Sequence, residues 1–259
     1  MPEDQRSFWE HLDELRTVLL KSLAAWLAAS VGAFCLKDRL FDLLFAPACP
    51  DFVLYRALCR LGETTGWGAL CPEGMPVEFL NTELTAQFMT HLEVALFAGL
   101  AVALPLILFW LYGFVAPGLY QRERRTGVWL LVVSVLLFAA GAAVSYFLIF
   151  PVSFRFLSGY QVSDLVVNRI SLSSYMSVLL VLTLLMGLLF EVPVLTWLLS
   201  RLGVLSPERL RRGRRYVFTV LLIVAAVITP TGDPFTLLLV TLPVYLLYEL
   251  SIHVVKAGK

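Results

Sequence analysis

Long apolar blocks are the feature that most constrains how this chain can fold. Four of them are long enough to cross a bilayer as helices, and they cover residues 18–36, 88–112, 127–150 and 175–199. A helix rises about 1.5 Å per residue, so about 20 apolar residues span the hydrocarbon core. Because 59% of the 259 residues are hydrophobic and only 15% are charged, a water-soluble domain is excluded. The sequence predicts a polytopic membrane protein.

Two shorter apolar blocks follow, at 217–229 and 235–252, and the breaker-rich sequence Pro230-Thr231-Gly232-Asp233-Pro234 joins them. Such a sequence favours a tight turn between two helices. We therefore predict an all-α membrane protein with six transmembrane helices, in a single membrane domain that covers residues 1–259. An alternative topology fuses residues 216–250 into one re-entrant hairpin.

Three prolines interrupt the apolar blocks, at Pro105, Pro193 and Pro243. Proline removes a backbone donor inside a helix and bends it. Together with the two short C-terminal spans, the prolines predict a concave, kinked bundle that is suited to docking other helices.

The basic residues are distributed unequally between the loops. Most of them fall on the side that holds both termini, with clusters at 122–125 and 209–215. The positive-inside rule then predicts that both termini are cytoplasmic. Residues 37–87, the one sizeable extramembrane segment, would cap the opposite face.

An acidic patch stands out on that basic side, because Glu3, Asp4, Glu10, Asp13 and Glu14 precede the first span. Helical periodicity places the last three on one face, which would attract a cationic ligand. Ser7 and Glu10 match a capping box, which explains Glu10. Asp13 can pair with Arg16, so Glu14 is the best candidate for a ligand-binding carboxylate.

Two further carboxylates are candidates for function. Glu123 lies among arginines between the second and third spans and is either their counter-ion or a binding residue. Glu191 lies inside the fourth span beside Pro193, where a carboxylate is costly and should face protein or water. We expect Glu191 to contact a partner helix or carry a proton. Pro193 beside it and Asp233, in the turn after the fifth span, are expected to contribute to the same intramembrane polar or partner contact. A proton-coupled secondary transporter using Glu191 is the alternative function.

Metal, cofactor and catalytic groupings are not expected. The four cysteines, at positions 35, 49, 59 and 71, form no Cys-x-x-Cys pair and no Cys/His grid. In an oxidising compartment we expect one disulfide among Cys49, Cys59 and Cys71. His91 and Glu93 begin the second span, where snorkelling to the interface explains them.

Several motifs resemble one known family, the TatC subunit of the twin-arginine protein translocase. The motifs, in the order of that family, are Phe-x-x-His-Leu-x-Glu-Leu-Arg at 8–16, Phe-x-x-Pro-x-Leu-Tyr with Glu-Arg-Arg at 114–125, Phe-Glu-Val-Pro-Val at 190–194, Ser-Pro-Glu-x-Leu-Arg at 206–211 and Thr-Pro…Asp-Pro…Pro…Tyr-Glu at 229–249. The resemblance covers nearly the whole chain. Leu237 departs from it, because the family often has Gln there, and the cysteine-rich part of 37–87 has no counterpart that we can map.

The resemblance implies a receptor for signal peptides that carry two consecutive arginines, in the prokaryotic plasma (inner) membrane. It also implies export of folded proteins driven by the proton-motive force, in a multimeric complex with TatA- and TatB-type single-span proteins. Glu14 and Glu123 would bind the arginine pair, with Phe114, Arg16 and Asp13 supporting the site. Glu191 would face the concave interior, and the last two spans would receive the partner helices. Neither a hydrolytic site nor nucleic-acid binding is implied.

Overall fold

The computed structural model describes residues 8–65, 78–115, 127–163, 168–201, 205–228 and 233–257, and most of these residues are helical. The helices are α1 (Phe8–Cys35), α2 (Lys37–Phe45), α3 (Val53–Thr65), α4 (Ala86–Val115), α5 (Gly127–Val144), α6 (Phe150–Gly159), α7 (Leu172–Leu189), α8 (Val192–Arg201), α9 (Pro207–Ile228) and α10 (Pro234–Ala257). The predicted all-α class is confirmed. The two strands in the described ranges, β1 (Phe79–Leu80) and β2 (Ile170–Ser171), form one short parallel pair.

Within the described residues, five helical segments are long and apolar enough to cross a membrane. They are Trp9–Cys35, Ala86–Phe114, Trp129–Gly159, Leu172–Arg201 and Pro234–His253. The third segment combines α5 and α6, which a π-helical turn at Ser145–Ile149 joins without a break. The remaining predicted span, 217–229, falls on α9, whose first turns carry the arginines of 209–215.

Helices α1 and α4 form the first antiparallel pair. The indole Nε1 of Trp26 donates to the carbonyl oxygen of Leu96 at 2.9 Å. Gly99 lies directly against Ser30, because a Cβ at Gly99 would come within 2.5 Å of the Ser30 Cα. The small residues therefore set how closely these two helices approach.

Helices α5 and α7 pack in the same close manner. A Cβ at Gly141 would meet the Met186 carbonyl oxygen and lie 2.7 Å from the Phe190 ring. Met186 and Phe190 belong to a buried cluster that also contains residues of α9 and α10, including Ala225 and Val244. This cluster joins the C-terminal helices to the centre of the bundle.

The fourth span is broken where the sequence predicts a kink. Helix α7 ends at Leu189 and α8 begins at Val192, so Pro193 is the second residue of a new helix. Pro105 and Pro243, in contrast, lie inside the continuous helices α4 and α10. The predicted kinked bundle is therefore confirmed, with its sharpest break next to Glu191.

Polar side chains cap the N-terminal ends of the last two helices, α9 and α10. The Ser206 hydroxyl accepts from the backbone N–H of Arg209 at 3.3 Å, and Asp233 Oδ1 accepts from that of Thr236 at 2.7 Å. Each cap is followed by a proline in the first helical position, which needs no N–H partner. Thus α9 starts about ten residues before its apolar block, and its basic run is helical.

The end of the bundle opposite the start of α1 carries a layer of short elements. Tyr146 and Tyr175 donate to the carbonyl oxygens of Leu43 and Leu44 at 2.6 and 2.9 Å, which ties α2 to the long helices. Tyr55 of α3 donates to the carbonyls of Pro47 and Pro151, at 3.1 and 3.2 Å. The pKa of the Tyr55 phenol is raised, because the effect of burial exceeds the opposite effect of the nearby Arg155 guanidinium.

Two outcomes concern the cysteines of this layer. Cys59 on α3 is disulfide-bonded, whereas Cys35 and Cys49 are free thiols. Cys71 lies outside the described residues. The expectation of one disulfide among Cys49, Cys59 and Cys71 agrees with the bonded Cys59, and the free Cys49 takes no part in it.

Candidate functional site

The first turns of α1 meet the end of α4 at one end of the bundle. The imidazole of His11 stacks on the ring of Phe114, with centroids 4.3 Å apart and planes 16° from parallel. One turn further along α1, Oε2 of Glu14 lies 3.8 Å from Nδ1 of His11. His11, Glu14 and Phe114 form what we call the α1 site.

The α1 site is open to its surroundings. The His11 and Glu14 side chains are 51% and 36% exposed, so a ligand can reach both. The carboxylate stands beside an aromatic ring, and these are the two groups on which a guanidinium binds by paired hydrogen bonds and by stacking. Both kinds of interaction favour an arginine side chain over a lysine, whose ammonium is a point charge.

The other predicted residues of α1 lie next to this site without joining it. Asp13 and Arg16 are exposed and form no ion pair with each other, contrary to the pairing that their spacing allows. Thr17 donates to the backbone carbonyl of Asp13 at 2.9 Å, which stabilises the helix locally. Asp13 therefore adds negative charge near Glu14 without making a contact that fixes its position.

Two predictions for this end of the molecule fall outside the described residues. Glu123 lies in the segment 116–126, and Ser7 of the predicted capping box precedes α1. The structure therefore does not test whether Glu123 approaches Glu14. The pairing of these two carboxylates remains a prediction.

The contacts of His11 with Phe114 and Glu14 were not predicted from the sequence. The residue lies within the motif at 8–16, and its spacing from Glu14 places both on one face of α1. That spacing could have identified the contact with Glu14. The stack on Phe114 joins two helices through residues far apart in sequence, so periodicity within α1 gives no sign of it.

A second polar site lies in the interior of the bundle. The Ser134 hydroxyl on α5 donates a short hydrogen bond to Oε2 of Glu191. Glu191 is only 7% exposed, and its Oε1 has no hydrogen-bond partner in the described structure. Glu191 thus contacts a neighbouring helix of the same chain through Ser134.

Asp233 has a structural role at the start of α10. Its Oδ1 accepts from the Thr236 N–H, as described for the helix cap. This contact accounts for an acidic residue at the turn between α9 and α10. A contact of Asp233 with a partner helix stays a prediction.

A polar network that was not predicted from the sequence joins α9 and α10. Arg214 Nη2 lies 2.7 Å from Oε2 of Glu249, and Tyr245 donates to Oε1 of the same carboxylate at 3.3 Å. Buried Tyr248 donates to the Leu210 carbonyl at 2.7 Å. The network holds the start of α9 against the end of α10, so the two helices are antiparallel.

His91, near the start of α4, packs against the end of α1. The His91 ring stacks on Phe34 with centroids 3.9 Å apart, and its Nε2 lies 3.1 Å from the Phe34 carbonyl oxygen. His91 therefore contributes to the α1–α4 contact. Across the described ranges, no group of three or more His, Cys, Asp and Glu residues could hold a metal ion.

The long apolar helices and the buried Ser134–Glu191 pair between them define a multi-pass membrane protein. Comparison with known proteins narrows this class. The family model for "Sec-independent protein translocase protein (TatC)" matches residues 10–243. This chain belongs to the TatC family and is a component of a protein translocase.

Relatives support the assignment over nearly the full length. The TatC proteins of Desulforapulum autotrophicum and Deinococcus radiodurans are each 33% identical, over 96% and 94% of this chain and 84% and 83% of their own. TatCy of Bacillus subtilis is 34% identical over 100% of this chain and 92% of its own. The crystal structure of a twin arginine translocase receptor, TatC, superposes with a TM-score of 0.77 at 31% identity, covering 96% of this chain and 99% of that one.

Proposed function

We propose that this protein is the receptor for signal peptides that carry two consecutive arginines, and the core subunit of a translocase that exports folded proteins by using the proton-motive force. The observation that carries the proposal is the α1 site, where the half-exposed Glu14 carboxylate lies beside the ring-stacked pair His11 and Phe114. The site offers one carboxylate and one aromatic ring to a guanidinium. Glu123, from the segment that follows α4, would provide the second carboxylate.

The expected strength of this contact suits a reversible receptor. Charge-assisted hydrogen bonds contribute about 1.5–3 kcal/mol each when shielded, and about 0–1 kcal/mol when exposed. Two arginines on two carboxylates, of which Glu14 is 36% exposed, would therefore give selective and reversible docking. Asp13 would strengthen the local negative potential, and Arg16 would support the site from the neighbouring turn.

Crosslinking of a twin-arginine peptide tests the binding site. A photoreactive amino acid in the peptide should crosslink to the wild-type protein, and Glu14→Ala and Glu123→Ala should each abolish the crosslink. Glu63→Ala is the matched control, because Glu63 is an exposed carboxylate on α3 in the layer at the opposite end. Unchanged crosslinking in both site variants would refute the assignment.

We propose further that α9 and α10 receive the single-span partner proteins of the TatA and TatB type. Helix α10 presents exposed leucines at four-residue spacing, at Leu238, Leu242, Leu246 and Leu250. Such a stripe is the surface on which an apolar helix packs lengthwise. Cysteine pairs between Leu242 and a partner helix should form disulfides, whereas a cysteine at buried Val244 should not.

We propose that the protein is a single membrane domain with six spans in a prokaryotic inner membrane. Both termini would lie in the cytoplasm. The basic run of α9 supports this orientation through the positive-inside rule. Cysteines introduced at Arg212 on α9 and at Glu63 on α3 test it, after Cys35 and Cys49 are replaced by Ser. A membrane-impermeant thiol reagent added to intact cells should label the cysteine at position 63 and spare the one at position 212.

A further inference from the structure

His11 contacts both groups of the α1 site that a guanidinium would bind, namely the Phe114 ring and the Glu14 carboxylate. Its ring covers one face of Phe114 at a centroid separation of 4.3 Å. Its Nδ1 is simultaneously 3.8 Å from Oε2 of Glu14. An arginine of a ligand would seek the same aromatic face and the same carboxylate.

The distance between His11 and Glu14 indicates which form of the imidazole gains from the contact. At 3.8 Å the two atoms are too far apart for a hydrogen bond, but they are within ion-pair range. A neutral imidazole therefore gains little from Glu14, whereas an imidazolium gains Coulomb attraction. Among the described residues, Glu14 is the carboxylate at ion-pair distance from His11, and α4 contributes the uncharged ring of Phe114.

We propose that His11 is a specificity-determining residue that acts as a built-in competitor of the arginine ligand. Protonated His11 pairs with Glu14 and stacks on Phe114, so the ligand has to displace it, while neutral His11 gives up the carboxylate. The inference rests on the function proposed above. Because histidine changes its charge between about pH 5 and 8, a more acidic cytoplasm weakens signal-peptide binding and a more alkaline one strengthens it.

Peptide affinity at two pH values tests this proposal. The full-length protein in nanodiscs is titrated with a fluorescent twin-arginine peptide at pH 7.5 and pH 6.0, where ordinary carboxyl groups stay ionised. We expect the Kd of the wild type to rise roughly two- to fivefold at pH 6.0, which is the factor that loss of one exposed ion pair corresponds to. A peptide with two lysines serves as the ligand control.

Two variants separate charge from stacking. His11→Phe keeps an aromatic ring against Phe114 but has no proton to gain, so its Kd should be the same at both pH values. His253→Phe is the matched control, because His253 is an exposed histidine on α10, and it should keep the wild-type pH dependence. If His11→Phe does not fold, His11→Gln carries the same expectation.

The outcomes distinguish the inference from the function on which it rests. A wild type that prefers arginine over lysine but shows no pH effect would overturn the competition by His11. A pH effect that persists in His11→Phe or His11→Gln would overturn it as well. If the wild type binds the two-arginine and two-lysine peptides with the same Kd at pH 7.5, the proposed receptor function is refuted. The role of His11 that rests on it is then refuted as well.

Discussion

The hydroxyl of Ser134 on α5 donates a hydrogen bond to Glu191, which stands at the break between α7 and α8. The pair joins two helices at a depth where water is scarce. Because Oε1 of Glu191 has no partner among the described residues, the carboxyl group keeps one oxygen available for a further donor. If Glu191 makes a polar contact with another helix, its substitution should have a different effect than if it carries a proton.

The first prediction concerns substitution of Glu191. If the role is polar contact, Glu191→Gln should retain much of the transport activity, because an amide keeps an acceptor for Ser134, and Glu191→Leu should lose it. Export of a folded reporter in cells measures both, with Glu93→Gln as a control carboxylate of a membrane helix. Loss of export in Glu191→Gln as well would favour obligatory proton exchange.

The second prediction concerns the close contact between α1 and α4. Gly99→Ala should lower the melting temperature of the protein in detergent, because the new Cβ meets the backbone of Ser30 and overpacking costs about 1–3 kcal/mol. Gly32→Ala on α1 has open space around its Cβ, so it should be neutral or gain up to about 1 kcal/mol in helix propensity. Equal effects of the two substitutions would contradict this account.

The third prediction concerns the polar network of α9 and α10. Tyr248→Phe removes the hydrogen bond from the Tyr248 hydroxyl to the buried Leu210 carbonyl and should cost about 0.5–1.5 kcal/mol. Tyr245→Phe should cost less, because Glu249 keeps its contact with Arg214. Thermal unfolding of both variants in detergent measures the difference, and a larger loss in Tyr245→Phe would be inconsistent with the geometry.

The fourth prediction concerns the cysteines. Under denaturing conditions without reductant, an alkylating reagent should modify Cys35 and Cys49 and leave Cys59 unmodified. After reduction Cys59 should react too, which peptide mass spectrometry detects. Four modified cysteines before reduction would refute the disulfide.

Apolar block length was sufficient to predict the long helices, since hydrocarbon thickness fixes how many apolar residues a span needs. It failed where polar residues extend a helix. Helix α9 begins at Pro207 because Ser206 caps it, so its basic turns precede the apolar block. The short helices α2 and α3 were also missed, because they lie in a segment without long apolar blocks.

The candidate site could be predicted only in part. Glu14 was predicted from the charge pattern of α1 and Phe114 from the family resemblance, and the structure brings both to one end of the bundle, where each contacts His11. Contacts between helices were not predictable, because the Ser134–Glu191 pair and the stack on Phe114 each depend on the relative rotation of two helices. A hydrophobic pattern fixes which face of a helix is apolar and does not specify which polar side chains meet.

The parallel pair β1–β2 has a consequence for how the chain is made. Its two strands, Phe79–Leu80 and Ile170–Ser171, come from loops that two further spans separate. During synthesis β1 is unpaired until Ile170 and Ser171 of β2 have been translated. The Leu44 carbonyl likewise has no hydrogen bond from Tyr175 until that residue has been translated. Assembly of the layer around α2 and β1 is therefore a late step of biogenesis, and truncated nascent chains that end before α7 should remain sensitive to protease in this region.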